Sequence, residues 1–102
     1  MEYTIESSGK TREIHLVGDL KFGDDQFVDA LTALLDEAAV DRLVIDLSRL
    51  VKLDSYGIGI LLKAQQLAVE RHKSMAVRGV GGSIAELFAT FRLAETLTVI
   101  DG

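Results

Sequence analysis

The apolar run Leu43-Val44-Ile45-Asp46-Leu47 is too short for a helix and too apolar for a strand with one wet face. It reads as a central strand covered on both faces, the habit of parallel sheets. Parallel neighbours need crossover connections, and the flanking sequence supplies helical patterns for them. Upstream, Phe27, Leu31, Leu34, Leu35 and Ala38 recur at helical spacing, so a helix is expected from about Asp25 to Ala39. Asp24, Asp25 and Asp29 near its start suit the positive end of the helix dipole. Downstream, Gly57, Ile60, Leu61, Ala64, Leu67 and Ala68 line the packed face of a second helix, from near Ser55 to about Arg71. Its glycine and alanines would let it approach the sheet closely.

Met75 to Arg78 reads as another strand, closed by Gly79. Ser83-Ile84-Ala85-Glu86 has the capping-box pattern, and Ile84, Leu87, Phe88 and Phe91 then give a short amphipathic helix. Thr98-Val99-Ile100 is expected to be the final strand. At the other end, Tyr3 to Glu6 and Glu13 to Val17 read as two strands of a hairpin turned at Ser7-Ser8-Gly9-Lys10. Gly18 is expected to end the second strand. The order predicts an α/β fold: one domain over residues 1–102, a mostly parallel mixed sheet with an antiparallel edge strand, packed against helices.

Charge and composition narrow the function. A net charge of −5 argues against nonspecific nucleic-acid binding, which needs cations to neutralise phosphates. The one basic cluster, Arg71-His72-Lys73, falls at a predicted helix C-terminus, where cations complement the dipole. No apolar run approaches the roughly 20 residues of a membrane span, so no membrane insertion is expected. The opening Met1-Glu2-Tyr3-Thr4-Ile5-Glu6 is acidic and alternating, unlike a secretory signal. Without cysteine there is no disulfide, thiol nucleophile or thiolate metal site, which fits a cytoplasmic location.

Signs of catalysis are thin, and no catalytic residue or cofactor is assigned. Gly18-Asp19-Leu20-Lys21-Phe22-Gly23 lacks the glycine spacing of a phosphate-binding loop, and no Gly-Lys-Ser/Thr follows Gly79-Val80-Gly81-Gly82. The amides at the Ser83 helix start could still bind an anion. His15 and His72 are far apart and neither has metal-ligand spacing, so no metal site is expected. A Ser-His-Asp site using Ser55 is open in principle, but the Gly-x-Ser-x-Gly elbow is missing. Asp46 reads as a strand-end carboxylate satisfied by loop amides, or as an aid in positioning the Ser55 loop. Asp54 reads as the cap of the helix at Ser55. This junction, reached from the strand through a short loop, is a place where a hydroxyl can be displayed, capped or phosphorylated.

Three segments together resemble the STAS family, shared by sulfate transporters and anti-sigma factor antagonists. They are Ile14-His15-Leu16-Val17-Gly18-Asp19-Leu20, Leu43-Val44-Ile45-Asp46-Leu47-Ser48 and Leu53-Asp54-Ser55-Tyr56-Gly57-Ile58-Gly59. The resemblance implies an anti-sigma factor antagonist in a partner-switching pathway, a binding partner and substrate rather than an enzyme. Ser55 would be phosphorylated by a GHKL-type serine kinase that is itself the anti-sigma factor. A metal-dependent serine phosphatase would reverse this. Asp54, Ser55, Tyr56, Gly57 and Ile58, with Lys21 and Phe22, would form the partner-binding surface. Lys21 stands where related antagonists often carry an acid, and Tyr56 where a small residue is common. The resemblance also implies an alternative: a non-switching interaction subunit of a stress-sensing scaffold or of a lipid transporter. It leaves room for a weak homodimer.

Overall fold

The computed structural model describes residues 2–21, 23 and 25–100. Along the chain run β1 (Glu2–Ser8), β2 (Thr11–Leu20), α1 (Asp25–Asp36), β3 (Arg42–Leu53) and α2 (Ser55–Glu70). After them come β4 (Ser74–Arg78), α3 (Gly82–Thr90), a 3-10 turn at Leu93–Glu95 and β5 (Val99–Ile100). The strands lie side by side in chain order, β1 antiparallel to β2 and every later pair parallel. This is the expected α/β fold, a five-stranded mixed sheet with an antiparallel edge.

Chain order has a consequence for the layers. Each parallel connection steps to the next strand in the same direction, and a right-handed crossover then sets every helix on one face. The apolar faces of the three helices accordingly share one cluster with Ile14, Leu16, Leu43, Ile45, Leu47, Met75 and Val77. One row across the sheet, Ile5-Ile14-Ile45-Val77-Val99, is wholly aliphatic and points to that side. The adjacent row, Thr4-His15-Asp46-Arg78-Ile100, is mostly polar. The sheet is therefore covered by helices on one face only. This corrects the expectation for Leu43 to Leu47: Val44 is buried on the second face, yet it is flanked there by Glu13 and Ala76, not by a helix.

Several boundaries move for identifiable reasons. Helix α1 stops at Asp36, before Ala39, and Ala38 is exposed. Lys73 Nζ donates to the carbonyls of Leu35 and Glu37 at 2.6 and 2.5 Å, and Val40 is driven fully into the core. The basic cluster thus serves mainly the end of α1, where Arg71 also pairs with Asp36. Strand β2 does not end at Gly18 but runs through it to Leu20. Gly18 takes φ +101°, at a register shift that lets β2 follow the longer β3. The capping box at Ser83 is not formed: the N-cap falls two residues earlier, at Gly81, without a side-chain cap. Phe91 closes α3 and is exposed rather than packed. Asp24 lies outside the described residues.

Candidate functional site

Strand β3 runs straight to Leu53, and only Asp54 separates it from α2. The short loop expected there is a single residue. Leu53 pairs with Leu20, so the two strand ends finish together, and the Asp54 amide faces the Leu20 carbonyl at 3.4 Å. The Gly18-Asp19-Leu20 and Leu53-Asp54-Ser55 segments, far apart in sequence, are thus one structural unit.

Asp54 is extended (φ −92°, ψ 178°) and caps α2, its Oδ1 accepting from the Gly57 amide at 2.8 Å. Its carbonyl accepts from the Ile58 amide at 3.0 Å. The cap thus commits one oxygen of the acid to the helix. Gly57 is buried against β2: a Cβ there would lie 2.4 Å from the Leu20 oxygen and 2.7 Å from Leu53 Cδ1. With the next turn pressed against the sheet, Ser55 is held outward as the first helical residue, exposed at the positive end of the dipole.

Ser55 and Tyr56 also line a cleft of about 340 Å³ between α1 and α2. Val28, Leu31 and Thr32 form one wall, and Gly59, Ile60 and Lys63 the other. Tyr56 is 45% exposed on its rim. Of the expected contact residues, Asp54, Ser55, Tyr56 and Lys21 are exposed around this junction, whereas Gly57 and Ile58 are buried. These two shape the site rather than offer surface in the free chain. Phe22 lies outside the described residues.

Asp46 belongs elsewhere. It sits within β3 on the sheet face without helices, with eight residues of strand and cap between it and Ser55, roughly 25–30 Å of extended chain. Its Oδ1 accepts from the Ser48 amide at 2.9 Å, as expected of a satisfied carboxylate. Its Oδ2 lies 2.8 Å from His15 Nδ1. It does not position the Ser55 loop, and a Ser-His-Asp site with Ser55 is not assembled. The hydrogen bond to Asp46 raises the His15 pKa above its ordinary value against partial desolvation, with help from the charges of Glu13 and Glu6. Burial works to raise the Asp46 carboxyl, but the Ser48 amide and His15 outweigh it and hold it below its usual range.

Spacing along the chain concealed a second cluster on this face. Glu6 pairs with Glu13 across the hairpin, and His15 follows two residues later on the same side. Their ligand atoms lie within 4.8 Å of one another. A hairpin register derived from the turn would have found them.

Residues 3–100 match the STAS_2 family model, described as "Mlab, STAS domain". The chain belongs to the STAS family. Solved structures share the domain's fold at low identity. The anti-sigma factor antagonist SpoIIAA in its unphosphorylated form superposes with a TM-score of 0.83 at 18% identity, covering 99% of this chain and 88% of that one. The Bacillus cell fate determinant SpoIIAA in its phosphorylated form gives 0.77 at 18% identity, covering 99% and 91%. An anti-sigma factor antagonist from Mycobacterium paratuberculosis gives 0.84 at 19% identity, covering 96% and 83%. No curated protein sequence matches this STAS domain. Among its described residues no helix is long and apolar enough to cross a membrane.

Proposed function

We propose that this STAS domain is an anti-sigma factor antagonist whose partner binding is switched by phosphorylation of Ser55. The observation that carries the proposal is the exposed Ser55 at the start of α2, beside a cap already committed to Gly57 and on the edge of an apolar cleft. The unmodified form binds a GHKL-type serine kinase in the cytoplasm, and a metal-dependent phosphatase restores that form. Phosphate adds about −1.5 to −2 charges and three acceptor oxygens. A helix N-terminus favours such charge by about 0.3–1 kcal/mol when exposed, so the fold tolerates it. The penalty falls on the interface, where a partner surface shaped for a neutral hydroxyl would have to desolvate a dianion. Similarity to both phosphorylated and unphosphorylated SpoIIAA supports a fold that accepts the charge.

The description of the matching family model names Mlab, which supports a second reading. In it the domain is a constant interaction subunit, of a scaffold or a lipid transporter, and Ser55 only begins a capped helix. Titration of the kinase with wild-type and Ser55→Asp domains separates the readings. The switch predicts that the variant loses binding. Equal affinity of the two supports the constant subunit.

A further inference from the structure

On the sheet face away from the helices, we propose a Zn²⁺ site formed by His15 Nε2, Glu6 Oε1 and Glu13 Oε2. The three ligand atoms lie within 4.8 Å of one another, and the two distances from the imidazole are those of a ligand set. His15 Nε2 lies 3.4 Å from Glu6 Oε1 and 3.3 Å from Glu13 Oε2. A tetrahedral ion about 2.0–2.1 Å from each donor sets neighbouring donors about 3.3–3.4 Å apart. Nε2 is shut off from solvent and has no hydrogen-bond partner, so it is aligned with neither carboxylate although close to both.

Two of the three donors are also held from behind. His15 Nδ1 faces Asp46 Oδ2 at 2.8 Å, which places the proton on Nδ1 in the neutral ring and leaves the Nε2 lone pair for an ion. Asp46 is itself fixed by the Ser48 amide. Glu13 Oε1 is paired by charge with Arg78 Nε at 2.9 Å, without an aligned hydrogen bond, which leaves Oε2 toward His15. Glu6 is the exposed, adaptable ligand on the edge strand. One imidazole and two carboxylates suit a borderline divalent ion such as Zn²⁺ better than a soft or an all-oxygen one. Glu6 and His15 also line a groove with Thr4, Ser48 and Arg49, from which water can complete the coordination. The ion would join β1 to β2 through side chains. The site is separate from Ser55, so its failure leaves the switch untouched.

Calorimetric titration of the untagged full chain with ZnCl₂, in a non-coordinating buffer, tests the site. One ion per chain is expected, with binding lost in His15→Gln and weakened about 10- to 100-fold in Asp46→Asn. Far-UV circular dichroism checks that both variants fold. Nitrogen NMR of the wild-type rings gives a reading independent of any variant: Zn²⁺ should move His15 Nε2 far more than Nδ1. No binding up to roughly 100 µM free Zn²⁺, far weaker than the affinities of structural zinc sites, overturns the proposal. So do binding unchanged in a folded His15→Gln chain and a response confined to His72.

Discussion

Gly57 lies so close to Leu20 that a Cβ would fall 2.4 Å from the Leu20 carbonyl oxygen. The contact joins the end of β2 to the first turn of α2 and thereby sets the height at which Ser55 is displayed. Gly57→Ala must push backbone against backbone. We expect a loss of about 1–3 kcal/mol, the usual range for overpacking. Gly59, two residues on, has open space around its Cα, and Gly59→Ala should stabilise the helix by about 0.5–1 kcal/mol. Thermal melts of the two variants should therefore shift in opposite directions, by about 4–8 °C per kcal/mol in a domain of this size.

The Asp54 cap is a separate contribution. Asp54→Ala leaves the Gly57 amide without its 2.8 Å partner and should cost about 0.5–2 kcal/mol. Asp54→Asn keeps an acceptor and should retain most of that stability. Urea denaturation of the three proteins measures the difference.

Lys73 reaches across to the last carbonyls of α1. Lys73→Met keeps most of the stem and removes the donor. A loss of about 1–2 kcal/mol is expected, toward the low end for charged hydrogen bonds because the site is partly wet. Lys63→Met, on the cleft wall, should change stability by less than about 0.5 kcal/mol. Melting curves of the pair test the assignment.

Tyr56 and Ser55 should affect binding without affecting folding. Tyr56→Ala removes a half-exposed aromatic from the cleft rim and should weaken kinase binding by about 2 kcal/mol or more. Ser55→Asp should leave the stability within about 1 kcal/mol of wild type while weakening kinase binding. Paired melting and calorimetric titrations read both effects.

Periodicity carried most of the fold. The elements and their order were legible because the helical faces of α1 and α2 and the apolar core of β3 repeat cleanly. The open sheet face was not legible, because Val44 is buried beside charged neighbours and looks like a residue beneath a helix. The end of α1, set by a distant partner, was also hidden, because Lys73 takes the carbonyls of Leu35 and Glu37, whereas the start of α2 at Ser55 was legible. At the site, the Asp54 cap followed from local chemistry. The cleft beside Ser55 and the grouping of Glu6, Glu13 and His15 required tertiary and cross-strand register.

The central claim is that Ser55 is the phosphoacceptor of a switch. The most direct test incubates the purified domain with ATP and its proposed GHKL-type kinase partner, then maps phosphate by mass spectrometry. The account predicts one phosphate per chain, on Ser55, absent in Ser55→Ala and accompanied by release of the kinase. Tight binding with no transfer to Ser55 would contradict it.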